Sequence, residues 1–588
     1  MVTRNLAPDL RNTAGDPRWH TPQMHLHFLG GAATVTGSRF HLTTERASVL
    51  IDCGMFQGAP NESIRNRIPL GFDPRKLNAI LITHAHLDHC GLLPVAVRMG
   101  FDGPIHATAA TAELAELVLL DSGRLHEEFA KREMRWEKRH PDKAVTEDKA
   151  AAAGYVAAID AADSEDSAVA LGAAPDGVGL DAADHVRRGR LRFATGSVRT
   201  GEHVETVIEP ASGEIGPMPD PEAELRANAP ELIIDLDAPL YTEKDAAAVL
   251  PLFKPVRYDE EIEVAPGVHA TFLDAGHILG SAIIRLRVQE REGGPERTIV
   301  FSGDLGRVGA PILRDPTLLT RADYVCVEST YGGREHEPQV EAVRILAETV
   351  REVERSKGVL LVPSFAIGRT QEIVWQLDRL IDSGDIPLLP LYLDSPMASK
   401  ASDVYRRHTE VYDDETAAIF RSGDTPLDYP TQTVTNRLEE SKAIEHAQRP
   451  YMIVASNGML TGGRVVGHLR NLIDDPLATI LFVGYQGVGT LGSHLQAGVK
   501  TVRLDGQMRE VRCRIRSING FSAHADEPGL LDWLGRFGEG LHAGDAGFPR
   551  RVFLVHGDPE AQVALAPKVT ELGFDVHVPA WHERVTLD

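Results

Sequence analysis

The run Ala79-Ile80-Leu81-Ile82 leads straight into Thr83-His84-Ala85-His86-Leu87-Asp88-His89, and few folds can build that junction. Four apolar residues in a row read as a short buried strand. Three histidines and an aspartate then fall within six positions, and Gly91-Leu92-Leu93 opens a helix. A loop fixed at the end of a rigid strand can aim several side chains at one point. Three imidazoles and a carboxylate are nitrogen and oxygen donors of the kind zinc takes. Alternation puts His84 and His86 on one side of the loop, and Asp88 and His89 turn to the other. The spacing therefore predicts two metal ions rather than one. A solvated polar loop with chance histidines is the weaker explanation, because His-x-His-x-Asp-His directly after a β-run is a specific pattern.

At 588 residues the chain is too long for one core, so two or more domains are expected. No apolar run approaches the roughly 20 residues of a membrane span. The segment MVTRNLAPDLRNTAGDPRWH lacks the apolar stretch of a secretory signal. Cys53, Cys90, Cys326 and Cys513 are far apart and form no Cys-x-x-Cys pair, so they read as reduced thiols packed as small apolar groups. The expectation is a cytoplasmic chain with no membrane partner. A net charge of −24 argues against a polyanion bound over the whole surface. The charge is uneven, however. Between Pro141 and Asp235 about 19 acids face about 8 Lys and Arg, which leaves the rest nearer neutral and a local basic groove available.

Residues 1–23 read as a tail. MHLHFLGG, SRFHLTT and ASVLIDCG are short β-runs between Gly-rich turns. Thr111 to about Glu137 is helical by its pattern. The Ala-, Gly-, Asp- and Glu-rich stretch over about 138–237 reads as an acidic insertion with a hairpin in LRFATGSVRTGEHVETVIEP. Thr242 caps a helix over Glu243–Leu250. The strands EIEVA, VHATFLDAG, SAIIRLRV, RTIVFSGD and VCVE follow. After about Glu335, helices and strands alternate at the rhythm of βαβ units and a parallel sheet. Histidine motifs then return in FSAHADEP and VFLVHGDPE, so this second α/β unit, about 336–510, is nested inside the first (24–335 and 511–588). A helix over Glu560–Leu572 is expected to end the chain.

Seven donors follow a short apolar run or sit on a Gly-containing turn: His84, His86, Asp88, His89, His277, Asp304 and His556. We assign His84, His86 and His277 to one zinc and Asp88, His89 and His556 to the other, with Asp304 bridging. Two metals about 3.5–4 Å apart can share a water and lower its pKa towards neutrality. The expected cofactor is thus two Zn2+ per chain, and the expected nucleophile is their shared hydroxide.

The His-x-His-x-Asp-His stretch resembles the metallo-β-lactamase superfamily. ESTYG with Glu328, FSAHAD with His524 and VHGD with His556 resemble motifs A, B and C of its β-CASP nucleases. PSFAIGRTQE, LDSPMA, ASNGMLTGG and GYQGVGTLG resemble the β-CASP domain itself. The likeness is to the bacterial and archaeal relatives of the pre-mRNA 3′-end cleavage endonuclease. It covers about 25–137 and 238–588, with every motif in family order. It implies an α/β fold: an αββα metallo-β-lactamase sandwich with a nested β-CASP domain, a cleft between them, and an RNA-specificity segment near 505–570. It also implies a zinc-dependent ribonuclease, expected to be an endonuclease with a 5′-exonuclease as the alternative, and it admits a homodimer; a nested cleft that admits a flexible strand and crowds a duplex makes single-stranded RNA the expected substrate. Asp52, after the third strand, would support the metal loop from behind; a turn aspartate capping the strand is the alternative. Two departures are the lack of room for N-terminal KH domains and of the long C-terminal extension of the RNase J type.

Resemblance and chemistry agree on two further roles. His524 is the best general acid for a 3′-oxygen leaving group, and Glu328 would orient its ring and favour its protonated form. Ser364, Gly368, Arg369 and Thr370 precede or open a helix, where free N–H groups attract anions. Lys400 follows the SPMA turn, and Ser456-Asn457-Gly458 ends another strand. These are candidate phosphate contacts, with ordinary turn and cap chemistry as the alternative. His269, His336 and His468 match no motif and read as surface or packing residues. The competing functions are a hydrolase of small thioesters or lactones, which would not need the second α/β unit, and a non-catalytic scaffold, which would have lost ligands.

Overall fold

The structure, a computed structural model, describes residues 24–57, 64–139, 238–484, 486–487, 489–504 and 506–588, with three further strands, Arg190–Ala194, Ser197–Arg199 and Leu232–Asp235. The expected tail over 1–23 and most of the acidic insertion lie outside the described residues. Of the expected hairpin, Arg190–Ala194 and Ser197–Arg199 pair antiparallel, and Leu232–Asp235 pairs with the first of them.

Period-two alternation sets the first layers. In Met24–Gly30 it buries Met24, Leu26 and Phe28 and leaves His25 and His27 half-buried. This strand is second in a seven-stranded sheet ordered Glu583–Leu587, Met24–Gly30, Arg39–Thr43, Ser48–Ile51, Ala79–Leu81, Ile105–Thr108 and Phe253–Val256. A second seven-stranded sheet runs Glu261–Ala265, Val268–Asp274, Ala282–Gln289, Glu296–Phe301, Tyr324–Glu328, Arg551–Val555 and Val576–His577. The two pack face to face through Leu26, Phe28, Val49 and Ile51 on one side and Phe272, Ile284, Phe301 and Phe553 on the other. Phe28 meets Phe553 with ring centroids 5.1 Å apart. Burying each such ring contributes about 1.5–3 kcal/mol.

Helices cover both outer faces. Leu93–Arg98, Ala109–Glu137 and Glu243–Val249 lie on the first sheet. Glu527–Gly535 and Pro559–Glu571 lie on the second. The expected αββα sandwich is present, and so is the expected cap: Thr242 and Asp245 form a capping box. One expectation is corrected. The chain does not end on the helix Pro559–Glu571. It continues into Glu583–Leu587, which pairs antiparallel with the first strand, Met24 opposite Leu587. ERVTL is short and half polar because it edges the sheet, so its hydrophobic signal is weak.

The nested sheet has six strands, all parallel: Gln432–Val434, Leu391–Asp394, Tyr451–Ala455, Val359–Pro363, Ala478–Phe482 and Arg514–Ser517. The four middle strands are apolar runs, as a sheet covered on both faces requires. Gln339–Ser356 and Arg369–Asp382 pack with one face and Arg464–Leu472 with the other. The edge strand Arg514–Ser517 lies beyond the expected limit at 510, because RIRS is charged and half exposed, as edge strands are. Among the described residues no helix is long and apolar enough to cross a membrane.

Two histidines, one in the first sheet and one in the turn before its edge strand, generate a prediction. Burial, with His27 and Arg584 nearby, pushes His41 down to about 3. Burial, with His27, Arg39 and Arg65 nearby, does the same to His582. Both rings are neutral in the folded state, whereas an unfolded histidine titrates near 6.5. As pH falls below 6.5 the unfolded chain takes up protons that the fold refuses. Stability is therefore lost from about pH 6.5 down to about 3, by up to about 2 kcal/mol per histidine at pH 5. The apparent Tm should fall between pH 7.5 and 5, and His41→Gln should shrink that fall. Equal falls in the two proteins would show that His41 does not carry the effect.

Candidate metal centre

The donor-bearing loops all leave the sandwich at strand ends. His84 follows Ala79–Leu81, His277 lies between Val268–Asp274 and Ala282–Gln289, Asp304 follows Glu296–Phe301, and His556 follows Arg551–Val555. Backbone hydrogen bonds stitch the first loop in place. Cys53 N donates to His89 O at 2.7 Å, Met55 N to Leu87 O at 2.9 Å, and Ser38 N to Asp88 O at 2.8 Å. Gly54 is needed for this approach, since a Cβ there would fall 1.7 Å from Asp88 O.

The side chains converge. His84 Nε2 is 3.1 Å from His86 Nδ1, which is 3.2 Å from His277 Nε2. Asp304 Oδ2 is 3.4 Å from His84 Nε2 and 3.5 Å from His277 Nε2. On the other side His89 Nε2 is 3.3 Å from His556 Nε2, and Asp88 Oδ2 is 3.7 Å from the latter. Asp304 Oδ1 stands 3.3 Å from His89 Nε2 and 3.5 Å from His556 Nδ1. The ligand atoms of His84, His86, His277 and Asp304 lie within 4.8 Å of one another, as do those of Asp88, His89 and His556. Asp304 thus touches both groups, one oxygen to each.

The electrostatics suit cations. Burial drives His84 and His277 well below the usual histidine range and His86 down to about 4, so these rings keep their lone pairs. Burial would protonate Asp304, but His556 and His89 hold it ionised. Asp304 Oδ1, though buried, has no well-formed hydrogen bond. Ring nitrogens aimed at one another around an ionised carboxylate are the donor set of a divalent metal. The residues fit the group that the fold family implies.

Asp52 lies behind the loop. Its carboxylate accepts from Thr83 N at 2.8 Å and faces His89 Nδ1 at 2.7 Å, which fixes the nitrogen that His89 turns toward the centre. His524 Nδ1 lies 3.0 Å from Glu328 Oε2, and Glu328 Oε1 accepts from Leu305 N at 2.6 Å. Burial alone would lower His524, but Glu328 and Asp304 outweigh it and push it up to about 9.

The candidate phosphate contacts divide. Ser364 and Ser456 end adjacent parallel strands, and Ser456 Oγ donates to Ser395 Oγ at 3.0 Å. Asn457 Oδ1 accepts from Met459 N, and Gly458 packs against Phe365. Gly368 has φ +81° and lies against Ile278, beside His277. Three candidates have other surroundings. Arg369 is buried in an ion pair with Glu372. The Thr370 hydroxyl is spent on Ser364 Oγ and Phe365 O. Lys400 is exposed beside the long helix, close enough for Asp121 to feel its charge.

Residues outside the motifs also matter. His336, expected as packing, faces the backbone oxygen of His524 with Nε2 at 3.1 Å. His468 is buried against Asp394 at 2.6 Å, and Arg464 and Ser441 bond the same carboxylate. Arg307, three residues past Asp304, pairs with Glu372 of the nested helix Arg369–Asp382. Glu372 lies in GRTQE, so the motif marked it, but nothing in the sequence marked its partner.

Three protein-family models match this chain: Metallo-beta-lactamase superfamily over 40–148, Beta-Casp domain over 370–495, and Zn-dependent metallo-hydrolase RNA specificity domain over 508–579. Ribonuclease TTHA0252 of Thermus thermophilus is 31% identical over 95% of this chain and 99% of its own length. Transcription termination factor FttA of Methanosarcina mazei is 28% identical over 92% of this chain and 68% of its own, and that of Methanothermobacter thermautotrophicus 27% over 94% and 70%. With the convergent His and Asp donors and the nested parallel sheet, these matches show that the chain belongs to the β-CASP ribonucleases of the metallo-β-lactamase superfamily, metal-dependent hydrolases that act on RNA.

Proposed function

We propose that the protein is a two-zinc endoribonuclease of single-stranded RNA. The observation that carries this reading is the single carboxylate, Asp304, set between two groups of donors from distant parts of the chain, 3.9 Å from the His524 ring. His84, His86 and His277 would hold one ion and Asp88, His89 and His556 the other, with Asp304 on both. When bound, such a pair lowers the pKa of a water and offsets charge on phosphoryl oxygens.

The chain's own residues do the rest. Glu328 occupies His524 Nδ1, so Nε2 is the nitrogen that gives a proton to the departing 3′-oxygen as water adds at phosphorus. The products are a 5′-phosphate and a 3′-hydroxyl. Thr83 and Asp52 keep the His89 ring from turning. Single-stranded RNA is the substrate proposed because a site between the sandwich and the nested domain, where Phe365 neighbours His86, would admit a flexible strand more readily than a stacked duplex.

Asp88→Ala combined with His89→Ala should abolish cutting of an unstructured RNA, and unaltered cutting would refute the dinuclear reading. His524→Ala should lower kcat by about 10²–10⁴-fold with KM little changed, the usual contribution of a general acid. Stripping with a chelator should lower the Tm as well as the rate, and added Zn2+ should restore both. Elemental analysis should give two zinc per chain; a reconstituted active enzyme holding one would overturn the two-ion assignment. One RNA labelled at either end in turn should give internal fragments from both labels. Mononucleotides from the 5′ end alone would make it an exonuclease.

A further inference from the structure

Phe365 is an aromatic ring left open beside the donor cluster. It follows Ser364 at the end of Val359–Pro363, a central strand of the nested sheet, and is 37% exposed. Its ring centroid lies 6.5 Å from that of His86, with the planes inclined at 47°. The backbone at Phe365 is fixed. Phe365 O accepts from Thr370 N at 3.2 Å and from Thr370 Oγ1 at 2.7 Å. Gly458 backs one edge so closely that a Cβ there would lie 3.1 Å from Phe365 Cδ2. Scattered exposed apolar side chains are ordinary, but this one has its backbone fixed and one edge backed, and it neighbours His86, whose Nδ1 points into the donor cluster.

We propose that Phe365 is the stacking platform for one nucleobase of the RNA, on the nucleotide next to the scissile phosphate, and that it sets the strand's register over the metal centre. This inference rests on the ribonuclease reading above. An unstacked base presents a π-face whatever its identity, so such a platform grips RNA without selecting sequence. It also gives the nested domain a direct part in the reaction: the sandwich holds the phosphate and the nested sheet holds the adjoining base. A rigid ring makes this effective, because little side-chain freedom is lost when the base arrives.

The test is a double-mutant cycle between protein and substrate. Two RNAs of one sequence are compared, intact and abasic at the nucleotide flanking the mapped cleavage site, each side in turn. For the wild-type enzyme, removing the base on one side should lower kcat/KM by roughly 5- to 150-fold, the range for one base–aromatic stack. Phe365→Leu should suffer a similar loss on intact RNA and be indifferent to the abasic change, and Phe365→Trp should retain the sensitivity. The inference is overturned if no flanking abasic site slows the wild-type enzyme, or if Phe365→Leu stays as sensitive to base removal as wild type. A wild-type enzyme that leaves intact RNA uncut brings down the ribonuclease reading itself, whereas one that cuts intact and abasic RNA alike defeats the stacking platform alone.

Discussion

A buried carboxylate among imidazoles governs the rest of this structure. Asp304 is 2% exposed, and four histidines have a ring nitrogen within 3.5 Å of it. In a dry interior such a cluster is stable only if charge and hydrogen bonding balance. The histidines keep Asp304 ionised, and Asp304 draws inward the strand ends that bear them. Burial disfavours a charge on two of those rings, His84 and His277, and on the neighbouring His86, whereas Asp304 and Asp52 favour one on His89. The donor set is one a divalent cation would complete, and holding it would tie together the four loops that carry the donors.

Backbone strain marks the same place. Asp52 has φ +58° and His556 φ +48°, the left-handed region that side chains with a Cβ seldom adopt. Each has a compensating bond. The Asp52 carboxylate accepts from Thr83, and His556 O accepts from Ser329 N and Thr330 Oγ1. Strain of about 1–3 kcal/mol per residue persists only where the surroundings overdetermine it. Here it turns His556 into the donor cluster and Asp52 against the back of the loop that carries His89.

The sequence made the donors legible because they are dense, polar and placed after apolar runs, a combination a solvated surface rarely yields. His84, His86, Asp88 and His89 needed only their spacing, and His277, Asp304 and His556 only their position at strand ends. The nested sheet was readable for a related reason: buried parallel strands such as VLLVP and YMIVA leave unbroken apolar runs. Edge strands were not. RIRS and ERVTL are half polar, and only pairing with a neighbour from a distant part of the chain makes them strands. Arg369 and Thr370 look like phosphate ligands in sequence, since helix openings and anion sites share residue types. What separates the two is where the side chain is spent, and that depends on Glu372, Ser364 and a loop from another layer.

The junction between the nested sheet and the sandwich is held by charge as much as by packing. Glu372 divides its carboxylate between Arg369 of its own helix and Arg307 of the Asp304 loop, and all three groups are nearly buried. Arg307 Nε also donates to Ser522 O at 3.1 Å, two residues before His524. Gly306 bridges to His524 in antiparallel fashion, and Ala525 N donates to Leu305 O at 2.7 Å. One ion triad therefore ties together the loop that carries Asp304, the segment that carries His524 and the helix that follows Phe365. A buried triad of this kind is a poor source of net stability, because desolvation offsets most of its attraction, but it strongly penalises any arrangement that separates its members. That is the property a two-part active site needs. The triad favours the arrangement in which the Asp304 loop, the His524 segment and the helix after Phe365 stand together.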